Sequence, residues 1–225
     1  MNTLELIQQL IKRPKHAFQI IESEQRGGLI PYCFLLLAIA LFWLGYLAMV
    51  DQTWLHEHTV NTLANNVSPA EREQIAQGDM LKYNALIGSF IVLTLQGLIL
   101  AAILNLFTKI DESNTDNFKD WLGNVWWTQL PAIPQLLLAL LVMFVLNDPQ
   151  TLHTDLFVTS INNIINLDES SPFYAFAAGL DVFSIWSYLL LFYLIATRTN
   201  LSTQLCFTIS LLPAVTELCI SYIAS

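Results

Sequence analysis

Long apolar runs, each close to the length of a membrane-crossing helix, constrain this chain more than any other feature. Five blocks carry them: about Leu29–Val50, Leu86–Phe107, Leu130–Leu146, Ala175–Ala196 and Leu205–Ala224. A helix needs about 20 such residues to cross a hydrocarbon core of about 30 Å. The apolar residues form continuous blocks instead of periodic faces, which excludes an ordinary soluble core. Of 225 residues, 55% are hydrophobic and only 12% charged, about half the charge of a soluble domain. The fold class that follows is all-α: a polytopic membrane helix bundle with five transmembrane helices plus short interfacial amphipathic helices. Residues 1–28 form a cytoplasmic N-terminal segment with a short amphipathic helix, and residues 29–225 form the five-helix transmembrane domain.

The net charge of −9 is not an acidic soluble surface, since most of the chain lies in lipid. It argues against nucleic-acid binding, for which a basic footprint is expected. Cys33, Cys206 and Cys219 lie in or beside apolar runs. Their spacing fits neither a CxxC pair nor a zinc framework, so they read as buried small residues.

The nine Lys and Arg residues orient the chain. With the N-terminus inside, the cytoplasmic segments hold Lys12, Arg13, Lys15, Arg26, Lys109, Lys119 and Arg198, and the outer segments only Arg72 and Lys82. The loop from Asn147 to Ser171 carries Asp148, Asp155, Asp168 and Glu169 and no basic residue. The expected localisation is therefore an inner membrane, with a cytoplasmic N-terminus and an outer C-terminus. The first apolar run is too long for an h-region and lacks an A-x-A site, so no cleavable signal peptide is expected.

Little chain lies outside the spans. In "LELIQQLI", Leu4, Ile7 and Ile11 recur at helical spacing and predict a short surface helix. Ser68, Pro69 and Glu71 read as N-cap, first helical residue and capping box of an outer-loop helix. "FKDWLGNVWW" (Phe118–Trp127) has the aromatic and Lys mixture of a headgroup-layer segment, and Pro131 and Pro134 mark the start or a kink of the third span. The segment Thr151–Leu167 reads as another interfacial helix.

Catalytic motifs are absent: there is no G-x-S-x-G, P-loop or H-E-x-x-H. No enzymatic activity and no cofactor are expected. His56 and His58 would share a side in an extended segment, but a metal needs three or four ligands, so they read as a solvated pair beside Trp54.

Two intramembrane carboxylates carry more information. A charged group at the centre of a bilayer costs at least about 2.5 kcal/mol on insertion scales. Asp181 lies nine residues from Pro172, and Glu217 eight residues before the C-terminus, so both sit about 12 Å below the outer surface. Asp181 shares a polar stripe with Ser184 and Tyr188, and Glu217 with Ser210, Pro213 and Ser221. Gln96 and Ser89 form a similar stripe on the second span. In one reading the carboxylates share a proton or hold a cation. In the other each is hydrogen-bonded to a neighbouring helix and fixes the packing. The short connection Thr197–Gln204 makes the last two spans antiparallel, and the expectation is that Asp181 and Glu217 face one interior site.

"KRPKHAF" before the first span, "DNFKDWLGNVWWTQLP" leading into the third and "GLDVFSIWSYLLLFYLIA" in the fourth resemble the Yip (Ypt-interacting protein) family, and within it the short bacterial members. The similarity covers most of the chain. Its motifs are an Asp-aromatic-Trp pattern, carried by Asp181, Phe183 and Trp186, and a Pro after a Phe-containing amphipathic segment, here Pro131 and Phe118. The resemblance implies five spans and a bacterial inner membrane. Eukaryotic members contact Rab GTPases, but they carry a DLYGP-like motif missing here, so a GTPase partner is not expected. The function expected is a non-enzymatic scaffold or interaction protein of the lipid bilayer, with a homo-oligomer or another membrane protein as partner. The alternative is a small transporter or channel for a cation or proton, built on Asp181 and Glu217 with Gln96 and Ser184.

Overall fold

Asn2 starts the first helix by accepting the backbone N–H of Glu5, and the Glu5 side chain returns the bond to the Asn2 N–H. This capping box satisfies two of the N-terminal donors that a helix leaves open. It begins α1 (Thr3–Lys12), and Pro14, at a position where its missing N–H does no harm, begins α2 (Pro14–Ser23). The computed structural model describes residues 1–64, 81–168 and 171–224. Among the described residues every regular element is helical. The expected capping box at Ser68, Pro69 and Glu71 lies outside them.

The N-terminal helix forms as expected, but with a different face inward. Leu6 and Leu10 are buried and Ile7 packs beside them, while Leu4 and Ile11 are exposed. The reason is tertiary: α1 packs on α2 and α2 on α10 (Val182–Arg198), and Leu6, Leu10, Ala17, Phe18 and Ile21 share one core with Leu190, Leu191, Leu194 and Ile195. The inner face of residues 1–28 is thus part of the bundle's core.

Helical stretches at Leu29–Met49, Asn84–Ile110 and Phe118–Leu146 are long and apolar enough to cross a membrane. They correspond to α3 (Leu29–Met49), to α5 (Leu81–Phe107) with its 3₁₀ extension, and to α6 (Phe118–Thr128) followed by α7 (Ala132–Leu146). Pro131 stands just before α7, as its chemistry predicts. α6 is capped by a second reciprocal box, Asn117 with Asp120. It packs into the bundle instead of resting on its surface, with Trp121, Val125 and Trp127 buried. Two glycines permit this packing. A Cβ on Gly28 would run into the Gly123 backbone, and one on Gly97 into the Trp126 ring.

The last two expected spans are interrupted helices. The run from Ala175 divides into α9 (Tyr174–Gly179) and α10, with Leu180 and Asp181 extended between them. The run from Leu205 divides at Leu211 into α11 (Thr203–Ser210) and α12 (Leu212–Ala224), where Pro213 opens the second piece. α10 has 17 residues, about 25 Å of helix. The segment Thr151–Leu167 is not one interfacial helix. It forms a 3₁₀ turn at His153–Leu156 and the short α8 (Ile161–Ile165), because it folds back against α3 and α7 and buries Leu156.

The bundle thus has two cores. The basal one, at the N-terminal helices, gathers α1, α2, α5, α6, α10 and α11. The distal one gathers Phe42, Trp43 and Tyr46 of α3 with Ala139 and Met143 of α7 and Leu156. There the Trp43 indole donates to Ser89 (2.8 Å) and the Tyr46 hydroxyl to the Thr151 carbonyl (3.0 Å). Of the cysteines, Cys206 is buried as expected, whereas Cys33 and Cys219 are exposed on apolar helices.

Candidate functional site

Asp181 does not sit inside a continuous helix. It is the N-cap of α10: its Oδ1 accepts the Ser184 N–H (2.8 Å), and the Ser184 hydroxyl accepts the Asp181 N–H (2.7 Å). The i, i+3 spacing that looks like a polar stripe is therefore a capping box. The break exposes backbone groups, and a neighbouring loop supplies partners: the Ile161 N–H donates to the Leu180 carbonyl (2.8 Å), and Ser160 forms an isolated bridge with Asp181.

The second carboxylate oxygen is occupied as well. Asp181 Oδ2 accepts from Gln135 Nε2 of α7 (2.6 Å) and from the Thr159 hydroxyl (3.1 Å). Asp181 is 1% exposed. Three neutral donors from α7, the returning loop and α10 thus hold one buried carboxylate, which is how a buried acceptor avoids its desolvation penalty.

Glu217 of α12 lies on the other side of Tyr188. The Tyr188 hydroxyl donates to its carboxylate, and Tyr188 stands within the field of both Glu217 and Asp181. A Cβ on Gly179 would come within 3.1 Å of Glu217 Oε1, so α12 crosses close to the end of α9. The two carboxylates are neighbours across Tyr188 with separate donor sets. Unlike Asp181, Glu217 is exposed.

Ser184 and Tyr188 are thus brought to the carboxylates; Ser210 and Gln96 are not. Ser210 is buried, but its hydroxyl donates to Phe207 of its own helix (2.8 Å). Gln96 is exposed on α5, because the helix packs through the side carrying Gly97, which meets Trp126. His56 and His58 lie on the helix α4 (Gln52–Ala64), not on an extended segment, so residues two apart diverge; His58 stacks on Trp54 (5.4 Å between ring centres). Among the described residues no group of three or more His, Cys, Asp or Glu side chains is placed to hold a metal.

A second charged cluster, not anticipated from the sequence, occupies the basal end. The Arg198 guanidinium pairs with Asp116 through two N–H groups and with Glu22 at 3.0 Å. Burial opposes its charge, but Asp116 and then Glu22 more than offset this and raise the Arg198 pKa. Next to it, Asp111 accepts from the Ser113 hydroxyl (2.5 Å) and the Asn200 N–H (2.6 Å), which hold its pKa below the usual carboxylate value.

These features define a helical membrane protein with a polar joint where its fourth apolar run breaks. The Yip1 domain family model matches residues 9–224, and the chain belongs to that family. No curated protein and no solved structure matches it.

Proposed function

We propose that this Yip1-domain protein is a non-enzymatic scaffold of the bacterial inner membrane that works by contact with other membrane components. The observation that carries this reading is the saturated carboxylate of Asp181, whose oxygens are taken up by Ser184, Gln135 and Thr159. A group so fully engaged suits a structural joint better than a site that must release and rebind a proton or cation. Glu217, exposed beside Tyr188, offers the polar contact by which α12 meets a second copy of the chain or another membrane protein. The basic residues support a cytoplasmic N-terminus and an outer C-terminus, with α9–α10 and α11–α12 as the fourth and fifth crossings.

The test combines reconstitution with reporters. Asp181→Asn and Glu217→Gln should both leave a folded protein whose liposomes carry no more proton or cation flux than empty ones. Wild-type flux that either variant abolishes while remaining folded moves the function to transport. Reporters fused after Glu112 and Asn200 should read inside, and those within 147–172 or after Ser225 outside. A C-terminal fusion reading inside removes the fifth crossing.

A further inference from the structure

At the basal end a cavity of about 840 Å³ opens between the α2–α3 corner, α6 and the end of α10, within the roughly 300–1,000 Å³ of small-molecule sites. Two kinds of wall meet there. Leu29, Tyr32, Leu122 and Trp126 form an apolar side. Leu29 is 73% exposed, so this side runs out onto the apolar surface of α3. The polar side sets Arg26, Lys119 and Arg198 against Glu22, Asp116 and Asp120, so its cations and carboxylates balance.

These charges are not all consumed internally. Arg198 is held by Asp116 and Glu22, and Arg26 by Glu24. Lys119 is exposed and takes part in no ion pair among the described residues. Asp120 is also exposed; its carboxylate accepts the Asn117 backbone N–H at 3.0 Å and is joined to no cation by an ion pair among the described residues. One cation and one anion therefore occupy successive exposed positions at the start of α6. Across the cavity α3 begins at Gly28 without a side-chain cap, and since Pro31 has no N–H the open first-turn donors are the N–H groups of Leu29 and Ile30, which favour an anion.

We propose that this cavity receives the headgroup of a phospholipid that carries both a phosphate and a primary ammonium. Lys119 and the start of α3 face the phosphate, Asp120 accepts from the ammonium, and the acyl chains leave over Leu29 and Tyr32. A primary ammonium offers N–H donors to a carboxylate, which a quaternary one does not. A purely anionic headgroup would add a net negative charge to a cavity whose own charges balance, whereas a zwitterion adds none. The apolar wall continuous with α3 distinguishes a lipid from a small soluble zwitterion.

Native mass spectrometry of the full chain in detergent tests this with phosphatidylethanolamine, phosphatidylcholine, phosphatidylglycerol and free phosphoethanolamine. Phosphatidylethanolamine should be retained about tenfold more tightly than either other lipid, a difference of about 1.4 kcal/mol. Gly27 lines the cavity and a Cβ there meets nothing within 4 Å, so Gly27→Phe should fill the space, leave melting unchanged and abolish the preference. Asp120→Asn, at an exposed position and still able to accept from the Asn117 N–H, should reduce it severalfold and serves as the independent variant if Gly27→Phe does not fold. Lys119→Gln should instead weaken retention of all three lipids alike. Equal retention of the three lipids, or a preference that survives Asp120→Asn, overturns the proposal. Displacement of bound lipid by free phosphoethanolamine overturns the lipid assignment and leaves a site for a soluble zwitterion.

Discussion

Asp116 at the basal end and Asp181 deep in the bundle are both aspartates withdrawn from solvent, with 9% and 1% of their surface exposed, yet they are satisfied by different chemistry. Asp116 meets a full positive charge, the Arg198 guanidinium, brought from 82 residues away. Asp181 meets an amide, a hydroxyl and a backbone N–H. The difference follows from depth. At the basal end Glu22 remains half exposed, with 51% of its side chain accessible, so a cation held there keeps part of its hydration. Within the bundle a cation would need desolvating in its own right, which often exceeds what its attraction returns. Neutral donors spread a carboxylate's charge without adding a second ion.

The largest effect should come from removing the basal cation. Arg198→Ala leaves Asp116 buried and uncompensated, and breaking such a pair costs about 3–5 kcal/mol. Unfolding in mixed micelles should therefore show a loss near the lower figure, because Glu22 is accessible. Arg198→Lys should recover part of it, since a point charge replaces a two-pronged guanidinium. If Arg198→Ala loses less than about 1 kcal/mol, the pair behaves as a surface one and the contrast with Asp181 disappears.

The next effect belongs to Asp181. Asp181→Leu removes the α10 cap, about 1 kcal/mol, and strands Gln135 and Thr159, which are only partly buried, for about 1 kcal/mol more. Asp181→Asn should lose less than about 1 kcal/mol, because Asn caps as well as Asp. Its new N–H₂ group faces Gln135, whose amide can turn to accept from it. Equal losses in the two variants would mean that the charge itself is required, and neutral donors would no longer explain the site.

How much of this is legible before folding depends on the range of the interaction. The apolar blocks announce the membrane bundle because hydropathy is a property of the segment alone. Asp181 announces itself too, but Asp-Val-Phe-Ser fits both a polar stripe and a cap, and its setting in an unbroken apolar run hides the break. Gln135 leaves only a faint signal, a lone amide in "AIPQLLLALL". The pairing of Asp116 with Arg198 leaves none, since nothing local links residues 82 apart. α1 shows the same limit: its period gives a helix, but only α2 and α10 decide that Leu6 and Leu10 turn inward.

The smallest expected effect concerns a third way of handling charge, which is to leave the group neutral. His153 is packed at the distal end against the rings of Trp43 and Tyr46, with centres 5.1 and 6.1 Å away. Burial lowers its pKa from 6.5, and the nearby Asp155 only partly opposes this. The folded protein therefore holds fewer protons on this group than the unfolded chain does once pH falls below about 6.5. Stability attributable to His153 is present above that value and is lost as pH falls toward the depressed folded pKa. Unfolding measured from pH 7.5 to 5.5 should show this loss in the wild type, and His153→Gln should flatten it without altering the losses at Arg198 or Asp181. An unchanged slope in His153→Gln would assign the pH dependence to other groups.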